Sequence, residues 1–432
     1  MNHRSMTSRR RSSRLRAVGA GCTALLFSML GACDSLLEVE NPGAVEAADL
    51  ENPQLAGTIV NSALGQFECA YNSYVVSTSL LADETINSSS WLNINPWGWR
   101  GVELETIDGS CPGGRAATGL GAYTPLQQAV YLTTDGTRLI EGFPAEEIVG
   151  DRSEMLGLLA AYGGYAQLLL GEGFCEMALH EGPLMTPDEV ITASIGEFDA
   201  AIAHAQAAGN AELEMLATLG RARAQLDLGN TEGAYLDAAT VTDGFVWYAE
   251  YSTIDGSREN RTYNLNHLNL YVSANPADAA LMIDGAPDPR VQIEDANAKG
   301  NDSATDHWYQ LKYDAANSPI PIASWEEAKL IMAEARPEEA VAHLTELRTA
   351  QGLPTGDLAA LGGMSNADVV AFVLEERRRQ LWLEGHRLND MLRHDLEFPQ
   401  GTNHKGQLYG PITCMPLPQQ ERRANPNIPT TG

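Results

Sequence analysis

The segment Ala166-Gln167-Leu168-Leu169-Leu170-Gly171 recurs 58 residues later as Ala224-Gln225-Leu226-Asp227-Leu228-Gly229, and no other feature constrains the fold as much. Both copies lie in 151–244, where apolar residues return with the 3.6-residue period of a helix face. Alanine lets two antiparallel helices approach closely, and glycine can end a helix in the left-handed conformation that side chains disfavour. In the second copy Ala224, Gly229 and Ala234 have that arrangement, with Leu213, Leu216 and Leu219 on one face ahead of it. A mainly α fold of helix hairpins is therefore predicted. Further helices are expected over 53–78 (Leu55, Ile59, Val60, Ala63, Leu64, Phe67), 325–335, 337–351 and 366–384. Pro337 would sit in a first turn, where its missing N–H costs nothing. Gly, Pro, Asn and Trp dominate 88–124, and Pro276, Pro287, Pro289 and Pro319 punctuate the segment after 245. Segments 88–150 and 245–324 are expected to be loop-rich and to face a ligand, with short β-pairs in the second. The scaffold is expected over 53–87, 151–244 and 325–393, all in one body spanning 33–432.

The first 32 residues read as a leader. Arg4, Arg9, Arg10, Arg11, Arg14 and Arg16 precede an apolar run from Ala17 to Leu30. That run is shorter than the roughly 20 residues needed to cross a bilayer and suits a signal-peptide core. It ends in Leu30-Gly31-Ala32-Cys33, the bacterial lipobox pattern, so Cys33 is expected to be the lipid-bearing mature N-terminus. A plain signal peptide with a coincidental cysteine is the alternative. Each buried methylene contributes about 0.8 kcal/mol, so one acyl chain binds reversibly and several anchor stably. Without the six leader arginines, 22 basic residues face 57 acidic ones, a formal charge of −35. Such a surface repels phosphate and excludes nucleic acid as a partner.

Four further cysteines, Cys69, Cys111, Cys175 and Cys414, allow three pairings in an oxidising compartment. Cys69–Cys111 and Cys175–Cys414 are the pairs expected; free buried thiols are the alternative.

Three C-terminal stretches carry a family likeness. They run from Trp325-Glu326-Glu327-Ala328-Lys329 to Ala335 and on through 344–354, then Glu375-Glu376-Arg377-Arg378-Arg379 to Gly385-His386-Arg387-Leu388-Asn389-Asp390-Met391-Leu392-Arg393, then Met415-Pro416-Leu417-Pro418 to Asn427. In this order, behind a lipobox, the chain resembles the SusD/RagB family of outer-membrane nutrient-capture lipoproteins. The resemblance implies a SusD-like fold of tetratricopeptide-like hairpins with a long irregular portion. It implies glycan or other nutrient binding outside the outer membrane, a SusC-like TonB-dependent transporter as partner, and no catalytic step or cofactor. One departure is visible: the family tends to have an arginine two or three residues before the acid of the first motif, where this chain has Ser324 and Trp325. Any ion pair made there is thereby put in question. A helical-repeat scaffold binding another protein at the same membrane is the alternative function.

Candidate ligand contacts follow from chemistry. Trp91, Trp97 and Trp99 lie close together beside Asn93, Asn95 and Arg100. Sugar rings offer apolar C–H faces to indole, while amides and guanidinium reach hydroxyls, the mixed lining expected of a ligand pocket. Indole also fills cores, so a structural role for these tryptophans competes. Trp308, Tyr309 and Tyr313 form a second cluster. His386, Asp390 and His394 share a helix face but lie in a family structural motif, and no metal site is expected. Asp83-Glu84 are adjacent and do not face one another on a helix, and no nucleophile elbow or phosphate loop occurs, so no catalytic residue is expected.

Overall fold

The computed structural model describes residues 51–82, 84–104, 107–111 and 120–429. The leader, Cys33 and Asp83 lie outside these residues. We number the α-helices of seven or more residues α1 to α10 and the strands β1 to β8. Asn52 accepts from the Gln54 amide and opens a 3-10 turn, Pro53–Leu55, that runs into α1, Ala56–Leu81. From Phe67 onward every residue of α1 is buried, including Ser73, Ser77 and Thr78. A helix covered on all sides is a core element. The Ser77 and Thr78 hydroxyls donate back to the carbonyls of Ser73 and Tyr74, so they need no solvent.

Helices α2 (Tyr123–Gly142), α3 (Arg152–Gly173), α4 (Pro187–Ala208), α5 (Ala211–Asp227) and α6 (Thr231–Ala238) follow as antiparallel hairpins. The α4–α5 and α5–α6 corners use one device. Gly209 (φ 66°) and Gly229 (φ 76°) take the left-handed conformation. The asparagine after each, Asn210 or Asn230, caps the next helix by accepting from Leu213 or Gly233. The two hexapeptide copies are nevertheless not equivalent. Gly229 ends a helix as its spacing predicts, but Gly171 lies inside α3, where a Cβ would stand 2.4 Å from Ile191 of α4. Gly164 is similarly placed 2.8 Å from Phe198. Here glycine allows α3 and α4 to touch.

Helix α2 corrects the expectation that all of 88–150 is loop-rich. Its buried Leu126, Ala129, Val130, Thr133, Gly136, Leu139 and Ile140 follow the helical period. Polar, small and β-branched residues on the remaining positions weaken its propensity, and packing against α1 and α3 overrides that.

The strands are short: β1 (Thr85–Asn87), β2 (Val246–Ala249), β3 (Val272–Ala274), β4 (Met282–Ile283), β5 (Ala286–Pro287), β6 (Ile293–Lys299), β7 (Asp306–Gln310) and β8 (Ile320–Ser324). They form antiparallel pairs β1–β3, β2–β8, β4–β5 and β6–β7. Helices α7 (Trp325–Ala335), α8 (Ala340–Ala350), α9 (Asn366–Gln380) and α10 (Arg387–Arg393) complete the scaffold.

Arginine–carboxylate pairs tie this C-terminal part together. Arg348 donates to both oxygens of Glu376 at 3.0 and 2.7 Å, and Arg290 reaches Glu376 at 2.8 Å. Arg377 donates to Asp390 at 2.9 Å, and Arg393 to Glu334 at 2.7 Å and Asp390 at 2.8 Å. The arginine missing before the first motif is replaced from another helix. Arg223 of α5 forks onto Glu327 at 2.6 and 2.8 Å, while Ser324 caps α7 by accepting from the Glu327 amide. Such bidentate pairs fix geometry as well as charge. His394 lies 2.9 Å from Glu334 and Asp390 is committed to arginines, so these two residues serve this network. Cys69 is bonded to Cys111 and Cys175 to Cys414, the pairs expected. No helix of the described residues is long and apolar enough to cross a membrane.

Candidate functional site

The first tryptophan cluster divides between surface and interior. A 3-10 turn at Asn95–Trp99 coils the loop so that Trp97 points inward, 0% exposed. Trp99 is half-buried and covers Gly101. Arg100, at φ 54°, is buried against Tyr409 (4.7 Å) and Phe398 (5.3 Å) and donates to the Pro399 carbonyl at 2.6 Å. As ligand contacts Trp97 and Arg100 are therefore corrected: a rigid turn has to bury something on its inner side, and here it buries these two. Trp91, by contrast, is 47% exposed, with its ring 5.7 Å from Tyr271, and Asn93 beside it is exposed.

Next to Trp91 a cleft of about 450 Å³ is lined by Ser89, Asn95, Asp302, Thr305, Lys405 and Gln407, with His404 at its wall. Three distant segments build it. The first is the exit from β1: Asn87 donates its side-chain amide to Asn95 at 2.9 Å, and Ser89 accepts from the Trp91 amide at 3.0 Å. The second is the β6–β7 turn, where a Gly300 Cβ would lie 2.4 Å from Ser88, so only glycine fits, and the Asp302 amide donates to the Ser88 carbonyl. The third is a turn organised by Asn403, whose side-chain oxygen accepts from the Lys405 and Gln407 amides, both at 3.0 Å. Lys405 joins all three by donating to the Ser89 carbonyl and pairing with Asp302, each at 2.7 Å.

The charges in the cleft are fixed near neutral pH. Burial acts to raise the Asp302 carboxyl, but Lys405, the Thr305 and Ala304 amides and the Thr305 hydroxyl together hold it well below the usual carboxylate range. Burial pushes the His404 imidazole down, against the pull of the Asn87 carbonyl, so it is neutral at pH 7. The result is a polar concavity of amides, hydroxyls, a carboxylate and an ammonium, with the exposed Trp91 following its Ser90 wall in the chain. That suits a ligand dense in hydroxyl groups.

The second aromatic cluster adjoins the first through His307, whose Nδ1 lies 3.2 Å from the Ser88 hydroxyl. Trp308 is half-buried and donates its amide to Ser273 at 2.8 Å. Tyr309 continues a half-buried stack, Tyr263–His267–Tyr309, with both ring spacings 4.7 Å. Tyr313 is buried and donates to the Leu383 carbonyl. Asp302, Thr305, His404, Lys405 and Gln407 had no signal in the sequence beyond being polar residues in loops; what unites them is contact across about three hundred residues of chain.

Comparisons agree with this architecture. Residues 327–413 match the family model described as the SusD family. No curated protein matches the chain in sequence. Among solved structures, a SusD-like carbohydrate binding protein from Bacteroides vulgatus superposes with a TM-score of 0.62 at 17% identity, covering 86% of this chain and 96% of that one. A SusD-like protein from Bacteroides fragilis gives 0.61 at 13% identity, covering 89% and 98%. Surface glycan-binding protein A from Bacteroides fluxus gives 0.57 at 13% identity, covering 85% and 96%. The C-terminal motifs thus match the SusD family model over residues 327–413, and the fold over most of the chain is that of SusD-like structures.

Proposed function

We propose that the protein is a cell-surface glycan-binding lipoprotein that captures its ligand in the cleft beside Trp91 and passes it to a TonB-dependent outer-membrane transporter of the SusC type. The observation that carries this reading is a concavity lined by fixed hydrogen-bonding groups, with the exposed Trp91 following its Ser90 wall directly in the chain. The names of two similar structures, a carbohydrate binding protein and a surface glycan-binding protein, support the ligand class. Trp91 supplies the stacking face. Asn93 and Asn95 add amides, and Trp99, Trp308 and Tyr309 extend the half-buried aromatic surroundings. No step in capture breaks a covalent bond, so the function needs neither catalytic residue nor cofactor. Acylation of Cys33 would tether the body to the outer membrane, facing the exterior, where the acidic surface offers no adhesion of its own to anionic lipid.

Isothermal titration against a glycan and peptide panel tests the reading. A saturable glycan ligand is expected, weakened about tenfold by Trp91→Ala. A panel without any binder, or an affinity indifferent to Trp91, would overturn it. Fatty-acid labelling lost in Cys33→Ala, and co-purification of a TonB-dependent barrel, test the anchor and the partner separately.

A further inference from the structure

The β6–β7 hairpin, whose turn places Asp302 and Thr305 in the Lys405 cleft, has its open end in a second cavity, of about 350 Å³. Gln292, just before β6, and Leu311, just after β7, both line that cavity, and the Leu311 amide donates to the Gln292 carbonyl at 2.9 Å. One two-stranded ribbon therefore carries a cavity at each end. From Thr305 to Leu311 the chain advances about 20 Å at the rise of an extended strand.

The β2–β8 pair supplies one wall of the second cavity. Trp247 turns towards the helices and donates its indole N–H to the Tyr162 hydroxyl at 3.1 Å, so its neighbours Val246 and Tyr248 lie on the opposite face. Both line the cavity, and Tyr248 is 37% exposed there. Leu311, 41% exposed, and Pro289 and Pro321 extend the apolar surface. Polar groups complete the lining. Lys312 donates to Glu384 at 2.5 Å and to the Trp382 carbonyl at 2.6 Å, while the exposed Gln292 adds a side-chain amide. The ribbon between the two cavities is not bare. Tyr309, two residues before Leu311 and so on the same face of the strand, is the last ring of the half-buried stack Tyr263–His267–Tyr309.

We propose that the second cavity is a further sugar subsite, and that the ligand is a linear oligosaccharide long enough to run along the ribbon from the Lys405 cleft, past Tyr309, to Tyr248. This rests on the glycan reading of the cleft and adds a chain length to it. The chemistry suits a sugar ring: an exposed aromatic face for its C–H side, and an amide with a paired carboxylate and ammonium for its hydroxyls. An extended peptide is held mainly by rows of main-chain hydrogen bonds, whereas both cavities present side chains. Joining two modest contacts in one molecule makes the second intramolecular, so a longer chain gains affinity without any new kind of contact.

Titration calorimetry with cello-, xylo-, malto- and laminari-oligosaccharides, each as a series from the disaccharide to about eight sugars, is the test. In a series that binds, affinity should rise at least about tenfold from the shortest binder to the longest, at one ligand per protein. Tyr248→Ala should abolish that gain and leave the shortest binder unaffected, whereas Trp91→Ala should weaken every length. Leu311→Ser, also at the surface, should reduce the gain as well and decides the matter if Tyr248→Ala does not fold. Affinity independent of length, a gain that survives both variants, two ligands per protein, or equal binding of an extended Gly-Ser peptide would overturn the proposal. In each of these cases Trp91-dependent binding of the short sugars would leave the glycan reading of the cleft standing. Absence of heat with every series would overturn both.

Discussion

The C-terminal helices and the cleft region use polar side chains in opposite ways. Between α7 and α10, with Arg290 reaching in from the segment before β6, arginines and carboxylates are sequestered, matched and directed at one another: Arg348 and Arg290 on Glu376, Arg377 on Asp390, Arg393 on Glu334. Around Trp91 the polar groups are also tied to neighbours, Asp302 by four bonds and Lys405 by two, but they line an open cleft instead of being sealed between helices. The first arrangement settles where helices sit; the second keeps polar side chains at an open surface. Charge density alone therefore does not identify a binding site. Whether the polar side chains are sealed off or line a cleft is the difference.

The largest effect expected from breaking this contrast is in the network. Glu376→Ala would leave Arg348 and Arg290 buried without their shared partner, and loss of one member of a buried pair costs about 3–5 kcal/mol. Chemical denaturation should show that loss, while ligand affinity of the folded fraction stays unchanged. An equal fall in affinity would mean the two regions are not independent.

Next comes Glu84, which sits between them. It is buried, accepts from the Leu383 amide at 3.2 Å, and burial raises its carboxyl to about 7 despite that hydrogen bond. The unfolded chain ionises this group near 4.5, so the native state binds the extra proton and its stability falls as pH rises from about 4.5 to 7, levelling above that. The contribution lost is about 3 kcal/mol. Glu84→Gln keeps the acceptor and should remove this slope; identical pH profiles for variant and wild type would refute the assignment.

Trp91→Ala should leave the melting temperature within about a degree or two and weaken ligand by about 1–2 kcal/mol, the reverse of Glu376→Ala. The smallest effect is expected at Ser324→Ala, where loss of the α7 cap should cost about 1 kcal/mol in stability and nothing in binding.

The same contrast explains what could be read from the sequence. Helix α7 occupies 325–335, the range expected from the sequence, and the arginine-rich stretch after Glu375 is an ion-pair network because so many charges amid buried leucines have to be mutually satisfied. Helix α2 was obscured by weak local propensity, although its buried stripe was present. In the tryptophan loop composition announced an unusual segment, but only the turn at 95–99 decides that Trp97 is interior and Trp91 is not. The Asn403–Gln407 turn could not have been identified, because its partners Ser89 and Asp302 come from segments far away in the chain and nothing local marks the pairing.

The Cys175–Cys414 bond spans 239 residues, so it closes most of the molecule into a covalent ring. Both the Asp302 and Lys405 walls of the cleft lie inside that ring. A protease that nicks one exposed loop between the two cysteines therefore yields two strands that cannot separate, and gel analysis would show the cut only after reduction.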